Sequence, residues 1–259
     1  MNIASLLESL GIAGLVDACD LRNCTSAPVT INGRVGSISG TLNSNADGVV
    51  LDGTYATFPA LTDLRPFTIV ADITGNASPI AGWGGIIYVS AANGANGGGA
   101  QGLTHNGGGA VVFGRDSVGL ALLTTALSVG SSALGICAND PTQKIAAFAY
   151  DGGFLPCVSA WVDGKHVGSA TSNTVYCDSP LTQLTFGAKH NSAGNFSDFH
   201  RVTVRSWAAF NRVLTPSEHM AVANALMLLD RRQELLLTLG DSMTAQLASE
   251  PTANWSYQL

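Results

Sequence analysis

An Asp-Gly pair between two alternating runs constrains the fold of this chain more than any other feature. Asp163 and Gly164 separate residues 157–162 from residues 165–170. A type I′ turn needs a positive φ at both central residues, so the pair predicts a two-residue β-hairpin. Side chains alternate along a strand. The two predicted faces of the first strand are Val158, Ala160 and Val162 on one side and Cys157, Ser159 and Trp161 on the other.

Strand-sized runs separated by turn residues continue this pattern over most of the chain. They lie at 15–18, 36–42, 48–51, 56–58, 67–73, 85–90, 110–113, 118–123, 133–138, 144–150, 181–188 and 199–207. Short antiparallel strands at such spacing predict an all-β fold, a two-sheet sandwich with Greek-key or jelly-roll connections. Residues 15–18 are expected to form an edge strand.

The order of these pieces resembles the laminin G-like, concanavalin A-like lectin/glucanase family. The matching pieces are AAFAYDGG (146–153), WVDGKHVGS (161–169), LTFGA (184–188), VRSWAAFNRVLTPSE (204–218), GVVLDGTY (48–55) and FTIVADI (67–73). The resemblance covers roughly residues 14 to 230. It implies an antiparallel jelly roll, a fold that is found in lectins, glucanases and spacer domains alike.

The sequence divides into four predicted segments. Residues 1–14 form an N-terminal arm or short helix, residues 15–214 the sandwich, residues 215–233 a linker helix and residues 234–259 the start of a second domain. The helical spacing of Leu6, Leu7, Leu10 and Ile12 leaves two roles open for the first segment, an assembly arm or a lid on the sandwich.

A capping box marks the start of the linker helix. Thr215 is expected to cap it, Pro216 to occupy its first position and Glu218 to complete the box. The predicted helix runs to about Arg232. Its expected face is Met220, Ala223, Leu226, Met227 and Asp230.

The last segment resembles the first block of the SGNH (GDSL-like) hydrolases. An apolar run from Glu234 leads into Gly240–Asp241–Ser242 and then a helix start, as at the first strand of that α/β fold. The resemblance implies that Ser242 is a catalytic nucleophile. However, the later Gly, Asn and Asp-x-x-His of that family have no counterpart after Ser242, and all five histidines precede it. We therefore expect the chain to be part of a longer parent; the alternative is a linker remnant.

Glycine-rich loops and one tryptophan supply the candidate ligand contacts. Residues 92–100 and 105–109 lack the Gly-Lys-Ser/Thr end of a phosphate-binding loop. Two interpretations of these loops remain, plain connections between strands and loops that face a ligand. Trp207, like Phe210, is expected in the core, with stacking on a sugar as the alternative. The candidate ligand-binding residues are Asn93, Asn96, His105, Asn106 and Trp207.

Charge and cysteine content exclude several classes of partner. The net charge is −6 and the 12 basic residues are scattered, which argues against nucleic acid. No apolar run is long enough for a membrane span, and the N-terminus lacks the basic region of a signal peptide. Five cysteines without metal spacing predict free thiols. Neither a cofactor nor a metal is expected, since Asp47, Asp52, Asp151 and Asp178 show no calcium-loop spacing.

These features predict a virion surface or tail-fibre-type protein whose jelly roll binds host-surface glycan. A homotrimer, or contact with other virion proteins, follows by analogy only. The first alternative is a structural spacer without a ligand, and the second is an esterase or deacetylase that uses Ser242 in the longer parent. A glycosidase within the sandwich is not expected, because only Glu8 and Glu218 occur before residue 230 and neither lies on a predicted sandwich strand.

Overall fold

Two antiparallel β-sheets pack face to face in the computed structural model. It describes residues 3–75, 83–91, 100–106, 110–117, 120–130, 143–151, 157–171, 180–190 and 195–229. The helices are α1 (Ile3–Ser9) and α2 (216–229). The strands are β1 (Leu15–Asp20), β2 (Ser37–Ile38), β3 (Ser44–Asn45), β4 (Gly48–Leu51), β5 (Ala56–Phe58), β6 (Phe67–Gly75), β7 (Trp83–Ser90), β8 (Ala100–Asn106), β9 (Ala110–Ser117), β10 (Leu120–Gly130), β11 (Lys144–Tyr150), β12 (Cys157–Val162), β13 (Lys165–Thr171), β14 (Gln183–Phe186), β15 (Lys189–His190), β16 (Phe196–Ser197) and β17 (Val202–Phe210).

The strand order is that of a sandwich whose chain crosses repeatedly between sheets. The first sheet runs β13-β12-β11-β6-β17-β4-β3, and β1 pairs with β17. The second sheet runs β10-β9-β8-β7-β14-β5-β2, and β15 and β16 form a separate small ribbon. Neighbouring strands are often distant in sequence, as expected for Greek-key connections. The predicted all-β, two-sheet sandwich is confirmed.

The Asp-Gly hairpin is present as predicted. Asp163 and Gly164 have φ values of 50° and 76°, and they join β12 to β13 through the pair Val162↔Lys165. The turn is tied to the neighbouring strand, because the Asp163 N–H donates to the Ile145 carbonyl at 2.8 Å. The Ile145 N–H donates in return to Asp163 Oδ1 at 2.9 Å.

Alternating side chains divide the first sheet into an inner and an outer face. On β6, Phe67 and Ile69 belong to the core between the sheets, whereas Val70 belongs to a second cluster on the outer face. On β12, Val162 points inward and Trp161 outward in the same way. The predicted faces of β12 are therefore correct for Trp161 and Val162, and the side chains of β6 alternate in the same way.

Helices cover the outer face of the first sheet. Ile3 and Leu7 of α1 are buried there, as a lid on the sandwich would require. On α2 the residues buried in this outer cluster are Val222, Ala223, Leu226 and Leu229. The predicted face of α2 is thus partly wrong, since Met220 and Met227 are only half-buried at its margin.

The capping box of α2 is confirmed by its hydrogen bonds. The Thr215 N–H donates to Glu218 Oε2 at 2.8 Å, and the Glu218 N–H donates to Thr215 Oγ1 at 3.4 Å. Each bond satisfies a backbone donor that the first helical turn leaves without a partner.

Several boundaries differ from the prediction. A strand, β8, occupies residues that were expected to be partly loop, and the closing strand β17 starts at Val202 rather than at residue 199. The predicted strand 133–138 and the predicted strand of the second domain lie outside the described residues. No helix among the described residues is long and apolar enough to cross a membrane.

Candidate ligand-binding rim

Two connections meet at one end of the sandwich. The first is residues 52–55 between β4 and β5, and the second is residues 195–201 before β17. Register joins them, because Leu51 at the end of β4 pairs with Val202 at the start of β17. We call this place the rim. It is formed by Asp52, Tyr55, Phe196, Phe199 and Arg201.

Three aromatic rings form the apolar part of the rim. Tyr55 stacks on Phe196 with centroids 3.9 Å apart and planes 17° from parallel, and Phe199 lies 6.3 Å from Tyr55. All three residues are half-buried. The stacking fixes the relative orientation of the rings, so these apolar side chains have little conformational freedom left to lose on binding.

Backbone hydrogen bonds hold the tyrosine in place. The Tyr55 N–H donates to Ser39 Oγ at 2.8 Å, and the Ser39 N–H donates to the Tyr55 carbonyl at 2.9 Å. The backbone of Tyr55 is therefore fixed by Ser39, which directly follows β2 of the second sheet.

An exposed ion pair lies beside the rings. Arg201 Nε donates to Asp52 Oδ1 at 2.6 Å, and the two side chains are 46% and 59% exposed. Asp52 is three residues from Tyr55, and Arg201 is two residues from Phe199. The same two connections are thus joined twice, once by rings and once by charges.

A second ion pair supports the rim from beneath. Lys189 Nζ lies 2.8 Å from Asp198 Oδ2, and the lysine side chain is only 5% exposed. Asp198 has a φ of 50°, and its carbonyl accepts a hydrogen bond from the Gly85 N–H at 2.7 Å. The pair anchors the turn that leads from Phe196 to Phe199.

A close backbone approach at Gly85 makes this arrangement possible. A Cβ atom at that position would lie 2.4 Å from the Ala188 carbonyl carbon. No side chain fits there, so only glycine lets β7 run alongside the segment that leads into the rim. The same residue forms a parallel bridge to Phe199.

The structure corrects the stacking alternative for Trp207. Its side chain is fully buried in the inner core, 4.8 Å from the Phe58 ring and 6.4 Å from the Phe186 ring. A sugar needs an exposed ring face, and this ring offers none. Trp207 is a core residue, and the prediction that placed it in the core is confirmed.

Two of the other predicted ligand residues lie on a strand at the rim end. His105 and Asn106 end β8, where they pair with Gly84 and Trp83. Gly85, next along β7, is the residue that bridges to Phe199. The expected loop conformation at 105–106 is therefore wrong, although the backbone does reach the end of the sandwich that carries the rim.

The remaining predicted site residues are not described. Asn93, Asn96 and the expected nucleophile Ser242 lie outside the described residues. Ser90 precedes Asn93 and Asn96 in the chain, and Ala100 follows them. Ser90 and Ala100 pair at the end of the β7–β8 hairpin that is opposite to the rim.

Two of the carboxylates considered for calcium pair with arginines. Asp52 belongs to the rim pair, and Asp47 lies 3.9 Å from Arg205. Among the described residues, which exclude Asp178, no three His, Cys, Asp or Glu side chains come together as a metal site would require.

Sequence reasoning missed the rim. Its signal is the stretch NFSDFHR (195–201), in which aromatic and charged residues alternate just before a strand. The partner stretch, DGTY (52–55), lies at least 140 positions earlier in the chain, so the pairing becomes visible only through the register of β4 with β17.

Neither a protein-family model nor a curated protein matches this chain. Solved structures do. A Trypanosoma rangeli sialidase in complex with a difluoro-nononic acid matches with a TM-score of 0.60 at 17% identity, over 82% of this chain and 32% of its own. The same sialidase in complex with sialic acid matches with a TM-score of 0.59 at 16% identity, over 82% and 33%. A point mutant of HCR/D matches with a TM-score of 0.55 at 12% identity, over 82% and 51%.

These similarities show the fold alone. The chain spans about a third of the sialidase and about half of HCR/D. A shared fold does not imply a shared function, which depends on the residues of the site.

Proposed function

We propose that this chain is a carbohydrate-binding module and that the rim is its binding site. The observation that carries the proposal is the stacked pair Tyr55–Phe196 beside the exposed ion pair Asp52–Arg201. A sugar ring has apolar C–H faces and polar hydroxyl edges. The aromatic rings match the first, and the carboxylate and guanidinium match the second.

The fold supports this proposal in a general way. The two sialidase structures reported above are both complexes, one of them with sialic acid. The low identity leaves the ligand of the present chain open, and the rim residues supply the argument for a sugar.

The remaining parts of the sequence-based function stay predictions. A virion location, a homotrimer and other virion partners rest on the family resemblance and the composition. An esterase activity through Ser242 rests on the resemblance of residues 234–246 to SGNH hydrolases.

Glycan-array binding tests the proposal directly. We expect the wild-type chain to bind at least one glycan, and Tyr55→Ala to reduce that binding about tenfold or more because it removes one ring of the stack. Tyr55→Phe keeps the ring and is expected to bind nearly as well. Leu228→Ala, an exposed change on α2, controls for surface truncation.

Two results would overturn the proposal. One is a wild-type chain that binds no glycan on a broad array. The other is Tyr55→Ala binding as tightly as the wild type.

A further inference from the structure

We infer that the rim takes a neutral saccharide through a pair of adjacent hydroxyl groups, and that it discriminates against sugars carrying a carboxylate or sulfate. This inference rests on the proposed carbohydrate-binding function and adds the class of ligand. It is drawn from the hydrogen-bonding atoms that the rim leaves open and from the balance of its charges.

The exposed ion pair uses only part of its hydrogen-bonding capacity. The bond between Arg201 Nε and Asp52 Oδ1 engages one atom of each group. Asp52 Oδ2 and the two Nη atoms of Arg201 have no hydrogen-bond partner among the described residues. An acceptor and two charged donors are therefore held side by side on two exposed side chains.

Adjacent hydroxyls match this arrangement. A hydroxyl can donate one hydrogen bond and accept others. One hydroxyl of a diol can donate to Asp52 Oδ2 while its neighbour accepts from an Arg201 Nη–H. Both bonds involve a charged group, and such bonds are stronger than those between neutral groups.

The charges of the rim do not suit an anionic sugar. The rim pair Asp52–Arg201 and the supporting pair Lys189–Asp198 together hold two acids and two bases, so their charges balance. The lysine is nearly buried against its carboxylate, so it cannot turn outward without leaving that charge unpaired.

A ligand carboxylate that accepted hydrogen bonds from the open Nη atoms of Arg201 would lie beside the Asp52 carboxylate, which already balances the charge of that arginine. It would also bind to a chain with a net charge of −6. Repulsion between like charges at this distance opposes such binding.

A matched set of sugars tests the inference. The probes are neutral oligosaccharides of galactose, glucose, mannose and N-acetylglucosamine, together with the same backbones carrying sialic acid, uronic acid or sulfate. We expect the highest affinity within the neutral set. Each anionic counterpart is expected to bind at least about tenfold more weakly at low salt, where charge repulsion is least screened.

Two variants connect the preference to the rim. Asp52→Ala and Arg201→Ala are each expected to weaken neutral-sugar binding about tenfold or more, because each removes a charged hydrogen-bonding group. Asp47→Ala is the control, since it removes an exposed carboxylate (72% exposed) at the other end of β4. In urea unfolding, all three variants should have a free energy of unfolding close to that of the wild type.

The outcomes separate the two proposals. Tighter binding of the carboxylated or sulfated sugars would overturn the inference and leave carbohydrate binding intact. Neutral-sugar binding that survives both Asp52→Ala and Arg201→Ala would also overturn it. Absence of binding to every sugar would overturn the proposed function itself.

Discussion

His219 lies face to face with Trp161, with ring centroids 4.0 Å apart and planes 11° from parallel. His219 is 1% exposed, and neither of its ring nitrogens has a hydrogen-bond partner within the described part of the chain. Trp161 also meets the His166 ring at 4.9 Å. The start of α2 thus packs against the Asp-Gly hairpin through the stacking of the His219 ring on the Trp161 ring.

Protonation of this imidazole is unfavourable in the folded chain. Burial lowers the pKa of His219 to about 4 from 6.5. The charge of Glu218 opposes this shift and that of His166 adds to it.

We predict that the free energy of unfolding decreases as the pH is lowered from about 6.5 to about 4, because of His219. In that window the unfolded chain binds a proton at His219 that the folded chain does not, so the free energy of unfolding decreases as the pH falls. The full effect is roughly 3 kcal/mol. Urea unfolding at pH 7.5, 6, 5 and 4.5 measures it.

His219→Phe keeps the stacking and removes the titration, so it is expected to flatten this dependence. His166→Phe, at an exposed position, is the control and should retain most of it. An equal slope in wild type and His219→Phe would contradict the prediction.

We predict that Gly164→Ala destabilises the chain more than Gly33→Ala does. Both glycines have a similar positive φ, 76° and 74°, so alanine at either position adds backbone strain of about 1–2 kcal/mol. Only at Gly164 would the new Cβ also collide, 2.6 Å from the Met220 Cα of α2. Such a collision adds about 1–3 kcal/mol. Equal denaturation midpoints for the two variants would show that α2 does not press on the hairpin.

Local signals made much of the fold predictable. The hairpin depends on the φ requirement of two adjacent residues, and the capping box depends on side chains three positions apart. Both are contained in short stretches, and both predictions are confirmed. The faces of β6 and β12 follow from alternation alone.

Long-range pairing explains what the sequence did not reveal. The rim needs β4 beside β17, a pairing between residues about 150 positions apart. Trp207 illustrates the same limit. A core position was expected for its indole, but only the neighbouring rings of Phe58 and Phe186 exclude the alternative of a sugar-binding surface. The face of α2 was misjudged because helical periodicity alone does not give the direction from which the sheet approaches.

We predict that Glu218→Ala destabilises α2 by about 1 kcal/mol. Glu218 accepts hydrogen bonds from the Thr215 N–H at 2.8 Å and from Arg212 Nη1 at 2.9 Å. Hydrogen bonds from Arg212 and Thr215 lower the pKa of Glu218 to about 2. Its contribution is therefore present above about pH 4.5 and is lost as the pH falls toward 2.

Circular dichroism during urea unfolding at pH 7 and pH 3 measures this contribution. Glu8→Ala, an exposed change on α1, should leave stability within about 0.5 kcal/mol of wild type. A Glu218→Ala variant as stable as Glu8→Ala at pH 7 would contradict the prediction.

Finally, two aspartates that each pair with an arginine are predicted to differ sharply in their effect on stability. Asp17 is fully buried and accepts hydrogen bonds from Thr30 Oγ1 and Arg34 Nη1, both at 2.7 Å. Asp17→Ala leaves these donors without an acceptor, and we expect a loss of about 3 kcal/mol. Asp52→Ala breaks an exposed pair and is expected to change the free energy of unfolding by less than about 1 kcal/mol.

Urea unfolding of the two variants at pH 7 gives the comparison. Its result also bears on the rim, because a loss of sugar binding in Asp52→Ala can be attributed to the site only if the variant is as stable as wild type. A large loss of stability in Asp52→Ala would mean that its pair with Arg201 fastens the two connections together, and the carboxylate would then be structural rather than open to a ligand.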